Sequence, residues 1–446
     1  MKRILIANRG EIALRIIRTA REMGLETICV YSEADRDMEY LKLADEAVQI
    51  GPAPATQSYL NIDAIISAAV LWKANAIHPG YGFLSENPIL PARCEEHGIC
   101  FIGPSASIIR TIGNKSRTKE VARSLGIPTI PGTLHEVPDA EAAVRAAAEI
   151  GLPVMIKSLY GGGGRGMKIC QDEAQLRSGF ESASSEALAS FGRSEIYLER
   201  YIATSRHLEV QVLADEHGTV QVLGDRECSI QRRHQKVIEE APIPGLDQDI
   251  RADLWDWARR IITAIGFKGL ATVEFLMAPG GECYFLEING RLQVEHPVTE
   301  MVTGLDLVRE QIMVAAGDRI DATPPLISGH AIECRLNAED PTHNFIPTLG
   351  TVSRLRLPAG PGSRVDTHLF EGCSLSPHYD PLIAKLISCH ASRPGAIHRM
   401  QRMLDETQIC GLTTNRDFLL KLLSHEDFLA ARADTGLIAQ VLSQAE

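Results

Sequence analysis

Within Cys283-Tyr284-Phe285-Leu286-Glu287-Ile288-Asn289 the carboxylate Glu287 stands among apolar residues, and the amide Asn289 follows two positions later. On a strand the period of two puts both on one face. A carboxylate in such surroundings needs a partner or a cation to offset its desolvation. Upstream, Ala271-Thr272-Val273-Glu274-Phe275-Leu276-Met277 sets Glu274 in an equally apolar run. Two carboxylates and an amide oxygen from adjacent antiparallel strands are hard oxygen donors suited to Mg²⁺, with the remaining positions left to water and phosphate. The polar parity continues at Arg291, Gln293 and Glu295. Arg291 offers a planar fork for a small oxyanion, and Glu295 a base for it. The competing reading is a salt-bridged hairpin face with Arg291 paired to Glu295, which leaves Glu274 and Glu287 without partners.

A second alternation, His207-Leu208-Glu209-Val210-Gln211-Val212, puts His207, Glu209 and Gln211 on one strand face. That face is either half-solvated or part of the same site. Asp225 to Lys236 holds Arg226, Gln231, Arg232, Arg233, His234 and Lys236. In an acidic chain such a local cationic patch reads as an anion pocket rather than a solvated face. The strand Val154 to Ile156 ends at Lys157, and Gly161 to Gly164, Arg165 and Gly166 follow. Gly161, Gly163 and Gly166 satisfy G-x-G-x-x-G, but Met167 to Cys170 reads as a strand where the dinucleotide fingerprint needs a helix. Walker A fails as well, since Met167 follows Gly166. What remains is a glycine hairpin whose amides can close over phosphates beside the Lys157 charge, or else a plain surface loop.

The elements that must position these groups read as α/β. Arg3 to Asn8 is a strand, Gly10 a turn, Glu11 to Met23 a helix, and Thr27 to Tyr31 the next strand, the start of an open sheet reaching Phe101. Gly126 to Gly132, with two prolines and two glycines, marks a boundary, and Thr323-Pro324-Pro325 a second. A chain of 446 residues has room for about three domains. Its 45% hydrophobic and 23% charged residues exclude disorder and fibrous classes. The net charge of −12 argues against nucleic acid as a partner. No apolar stretch is long enough for a membrane span, and ten scattered cysteines without C-x-x-C pairs suit a reducing, cytoplasmic setting.

Five blocks, Ala7 to Ala13, His78 to Asn87, Gln231 to Lys236, Arg291 to Glu300 and Glu333 to Pro341, occur in the order found in the biotin carboxylase family of the ATP-grasp superfamily, and the sequence resembles that family over nearly its whole length. The resemblance implies an N-terminal open parallel α/β domain (1–113), a central ATP-grasp domain (114–324) with a mobile glycine-rich lid (about 131–203), and a C-terminal mixed α+β domain (325–446). It implies ATP-dependent carboxylation of biotin on biotin carboxyl carrier protein, with bicarbonate activated as carboxyphosphate. Another ATP-grasp carboxylate ligase and a non-catalytic nucleotide-binding paralogue are the alternatives.

By the same resemblance, Lys115 and Lys157 hold ATP phosphates with the amides of Gly163 and Gly164. Glu199 to Ile202 meet adenine, His207 and Gln231 line the ribose side, and His234 touches phosphate. Glu274, Glu287 and Asn289 take Mg²⁺, or Mn²⁺ in its place. Lys236, Arg291, Gln293 and Val294 bind bicarbonate, Glu295 deprotonates it, and Arg335 stabilises the biotin enolate. A homodimer using Arg18 and Glu22 is implied, as is a separate carboxyltransferase. No Met-Lys-Met biotinylation signal occurs, so a free-standing subunit is expected. The chain departs from the family at Tyr160, where a lid glycine is usual, at Gly290, where a residue with a β-carbon is usual, and at Asn114, where Asp is frequent.

Overall fold

The computed structural model describes residues 1–159 and 167–443. Strand Arg3–Ile6 is wholly apolar after its first residue and sits in the middle of a five-stranded sheet, flanked by Glu26–Ser32 and Ala76–His78. The pairings are parallel, so both faces of the sheet are covered and its central strands read as continuous hydrophobic runs. Helix Gly10–Glu22 covers one face with Ile12, Ile16 and Ala20, one residue offset from the sequence expectation at each end.

A three-stranded antiparallel sheet follows, with Val154–Ser158 between Lys168–Cys170 and Ile196–Arg200. Helices Ala140–Ile150 and Glu173–Phe191 lie on it, their first turns capped by the side chains of Asp139 and Asp172. The expected boundary run, Gly126 to Gly132, ties this unit to its neighbour: Thr129 bridges Phe285, and Gly132 bridges Glu199. Tyr160, Gly161, Gly163, Gly164 and Gly166 lie outside the described residues.

The largest element is an eight-stranded antiparallel sheet ordered Cys283–Asn289, Gly269–Met277, Arg206–Ala214, Val220–Arg232, Gln235–Ala241, His330–Asn337, Leu382–His390, Ser363–Thr367. It runs without a break from the central segment into the C-terminal one, through the pairing of Gln235–Ala241 with His330–Asn337. Helix Gln248–Ala264 buries Leu254, Ala258, Ile261 and Ile262 against Phe275 and Phe285 on one face. The opposite face of the central strands carries the polar residues of interest.

Candidate active site

Four neighbouring strands set a row of charge across the sheet. Glu209 lies opposite Glu274, Glu274 opposite Glu287, and Arg226 opposite Glu209 on the other side. Leu208, Val210 and Val212 point the other way into the core, as the alternation requires. The polar face is not half-solvated: Glu209 and Gln211 are 0% exposed and His207 8%. Buried charges persist only when paired, and here neighbouring strands supply the partners. Arg226, wholly buried, donates to Glu209 Oε2 at 2.8 Å, Gln211 Oε1 at 2.7 Å and the Thr299 hydroxyl at 2.9 Å. His207 Nε2 lies 3.0 Å from Glu274 Oε2, and its Nδ1 2.6 Å from Gln231 Nε2.

Lys236 gathers the acids. Its Nζ donates to Glu295 Oε1 at 2.7 Å, to Glu274 Oε1 at 3.2 Å and to Glu209. Burial alone would lower its pKa, but Glu209, Glu274 and Glu295 outweigh it and hold the ammonium above its usual value. Glu295 is 0% exposed, and burial would raise it; Lys236, Arg335 and Arg226 hold it well below the usual carboxylate range. Arg335 joins the cluster from the far side, with Nη2 at 3.0 Å from Glu295 Oε2 and Nε at 2.6 Å from Glu239 Oε1.

The alternation through Arg291, Gln293 and Glu295 is not strand. Strand Cys283–Asn289 ends before it, residues 290–294 form a loop, and Glu295 is the N-cap of helix His296–Thr303, whose early Pro297 starts the helix. The loop nevertheless turns its polar residues to the site. Arg291 does not pair with Glu295: its Nε meets Glu86 Oε2 at 2.9 Å, and Nη1 donates to Gln293 Oε1 at 3.1 Å. Gln293 Nε2 is buried and has no hydrogen-bond partner among the described residues. A buried unpaired donor beside a guanidinium is a fit for a small anion. Lys385, 0% exposed, pins the loop by donating to the Val294 carbonyl at 3.0 Å and pairing with Glu11 at 3.2 Å.

At the other end of the row, Lys115 opens helix Lys115–Ser124 and places Nζ 3.2 Å from Glu287 Oε2. Asn289 Nδ2 donates to Glu274 Oε1 at 2.8 Å, and Asn289 Oδ1 accepts from Arg291 Nη2 at 3.3 Å. Glu274 and Glu287 thus face each other in register with Asn289 linking Glu274 to Arg291, and carboxylate and amide oxygens are the donor types that suit Mg²⁺. Lys157 Nζ lies 2.6 Å from Glu199 Oε2, and Lys119 also pairs with Glu199, so that carboxylate is turned onto two lysines. Ile202 is half-buried just beyond strand Ile196–Arg200.

The basic cluster divides. Gln231 and Lys236 reach the site, Arg232 leaves it to pair with Glu339 at 3.1 Å, and Arg233 and His234 form the exposed hairpin turn with φ of 49° and 65°. Partial desolvation of the His234 ring in that turn, and then the charge of Lys157, lower the imidazole's pKa. Sequence reasoning assigned no role to Glu86, Lys119 or Glu239. For Glu239 a signal existed, since two adjacent acids interrupt the apolar run Val237 to Ala241.

Residues 1–109 match the family described as biotin carboxylase, N-terminal domain, and residues 333–440 its C-terminal domain; residues 114–323 match the ATP-binding domain of the carbamoyl-phosphate synthase L chain. The chain is 49% identical to the biotin carboxylase of Pseudomonas aeruginosa, over 94% of this chain and 93% of that one. It is 47% identical to biotin carboxylase 1 of Bacillus subtilis, over 98% of each. Among solved structures, a biotin carboxylase–β,γ-ATP complex from Campylobacter jejuni superposes with a TM-score of 0.96 at 46% identity, covering 98% of both chains. The biotin carboxylase domain dimer of Hydrogenobacter thermophilus 2-oxoglutarate carboxylase, solved with MgADP, ADP and bicarbonate, also gives 0.96, at 43% identity over 99% of this chain and 98% of that one.

Proposed function

The chain belongs to the biotin carboxylase family, and from that premise we infer that it is an ATP-dependent ligase that carboxylates biotin on a carrier protein. Bicarbonate attacks the γ-phosphorus of ATP, giving ADP and carboxyphosphate. Carboxyphosphate then yields phosphate and CO₂, which the ureido nitrogen of biotin takes up. This is the first half-reaction of acetyl-CoA carboxylase or a related acyl-CoA carboxylase.

In this reading Lys115 and Lys157 hold the phosphates, and the amides of Gly163 and Gly164 are further phosphate donors. Glu199 and Ile202 face adenine, His207 and Gln231 the ribose side, and His234 a phosphate. Glu274, Glu287 and Asn289 hold Mg²⁺, which neutralises phosphate charge when bound. Lys236, Arg291, Gln293 and the Val294 backbone seat bicarbonate, and Glu295 accepts its proton. A carboxylate gripped by Lys236 and Arg335 is a weak base at rest. Its proton transfer must therefore accompany phosphoryl transfer, as the attacking oxygen becomes acidic. Arg335 then has a donor for the ureido oxygen as negative charge develops there.

The observation that carries this reading is the buried donor Gln293 Nε2 beside Arg291, within one charge cluster that also holds Lys236, Glu295 and Arg335. Labelled bicarbonate tests it. ATP-dependent incorporation of label into biotin is the expected result. ADP release that depends on another carboxylate or an amine would point to a different ATP-grasp ligase, and ATP binding without turnover to a non-catalytic paralogue.

The partners follow as part of the proposal: a biotin carboxyl carrier protein, a carboxyltransferase on another chain, and a second copy of this chain. Arg18 and Glu22 lie exposed on helix Gly10–Glu22, free to meet that copy. Among the described residues no helix is long and apolar enough to cross a membrane. We place the protein in the cytoplasm, where its ten unpaired thiols stay reduced.

A further inference from the structure

Behind Arg335 stands a carboxylate that the mechanism above does not use. Glu239 is 0% exposed on strand Gln235–Ala241, three residues past Lys236. Its Oε1 accepts from Arg335 Nε at 2.6 Å and lies 2.5 Å from Nη2, which also reaches forward to Glu295 Oε2 at 3.0 Å. The guanidinium is thus held between two acids, one on the sheet and one on the helix cap. Glu239 Oε2 is buried with no hydrogen-bond partner among the described residues, and the residue opposite in register, Glu333, is equally buried. Two apposed interior acids are costly to keep. A strand that needed only filling at this position would carry an apolar side chain.

We propose that Glu239 is the positioning residue for Arg335, the anchor that keeps the guanidinium aimed once Glu295 has taken the proton of bicarbonate. The proposal rests on the roles read above for Glu295 and Arg335. Protonation removes the negative charge of Glu295 and turns the forward contact from an ion pair into a weaker hydrogen bond from the guanidinium to a neutral carboxyl. The forward side of the guanidinium is then open to the ureido oxygen, while Glu239 Oε1, close to both Nε and Nη2, restrains the side chain from behind. Without the rear anchor the whole side chain regains its rotamers at the moment when fixed geometry is needed. Glu239 touches neither bicarbonate nor biotin; it acts through Arg335.

The test uses the full chain with free biotin as the probe substrate. Glu239→Gln keeps the shape and one acceptor oxygen but removes the charge. Its kcat/KM for biotin is expected to fall about tenfold more than its biotin-independent, bicarbonate-dependent ADP release. In an Arg335→Ala background the same change should cost nothing further in kcat/KM for biotin, since its object is gone. Equal losses in both assays, or a full additional loss in the Arg335→Ala background, would overturn the proposal. If Glu239→Gln does not fold, Glu239→Asp, which keeps the charge and withdraws it by a methylene, serves instead. A loss confined to biotin supports the anchor, and a uniform loss rejects it. Should Arg335→Ala alone leave biotin kinetics untouched, it is the reading of Arg335 that fails.

Discussion

Arg291 Nε lies 2.9 Å from Glu86 Oε2, joining the loop after the large sheet's edge strand to a residue of the N-terminal unit. The pair holds the guanidinium that faces bicarbonate in the proposed reaction, yet the Glu86 side chain is 44% exposed. Solvent screening limits such a pair to about 1 kcal/mol or less. Glu86→Gln is therefore expected to raise KM for bicarbonate only by roughly two- to fivefold. Arg291→Ala, which removes a donor to the reacting group, should lower kcat by about 10²- to 10³-fold. Steady-state ADP release at varied bicarbonate separates the two.

Glu287 is balanced by one lysine, Lys115, at 3.2 Å. Replacing it by Gln removes a ligand charge and leaves Lys115 in excess. The half-saturating Mg²⁺ concentration for turnover should rise on the order of tenfold or more. A Mg²⁺ titration at saturating ATP reads this directly, and an unchanged midpoint would remove Glu287 from the metal site.

Arg335→Ala should separate the half-steps. The biotin enolate loses its charge partner, so biotin carboxylation is expected to fall by about 10²-fold or more. The ATP end of the site is held by Lys115 and Lys157, so KM for ATP should stay within about twofold. Comparable losses in both would place Arg335 in the scaffold instead.

Acid should weaken the fold through two histidines outside the site. Burial, and then the neighbouring Arg15 or Arg9 cation, hold His78 and His368 at about 3 against an ordinary value of 6.5. Both are neutral when folded, whereas the unfolded chain binds protons below about pH 6.5, so stability falls as pH drops from there towards 3. Urea midpoints between pH 7 and 4 measure the slope, and His78→Gln should flatten part of it.

Much of the fold was legible because it rests on local patterns. The parallel sheet announces itself in apolar strands such as Arg3–Ile6, and the parity of His207, Glu209 and Gln211 sets them on one face. That parity could not tell a wet face from a dry one, because the answer lies with Arg226 and Lys236, brought in by other strands. The same parity misled at Arg291 to Glu295, where a loop and a helix cap happen to repeat every second residue. The early Pro297 marked that helix start. Contacts such as Glu86 with Arg291 and Glu239 with Arg335 join residues far apart in the chain, and no spacing rule reaches them.

The unbroken ladder from Cys283–Asn289 to Ser363–Thr367 limits how the protein can be divided. A fragment ending at residue 324 would strip His330–Asn337 from Gln235–Ala241 and leave that strand as a raw edge of unpaired amides and carbonyls. Such an edge invites a stray strand to dock. Truncation there would yield a self-associating stump, with Lys236 and Glu239 facing whatever chain arrived first.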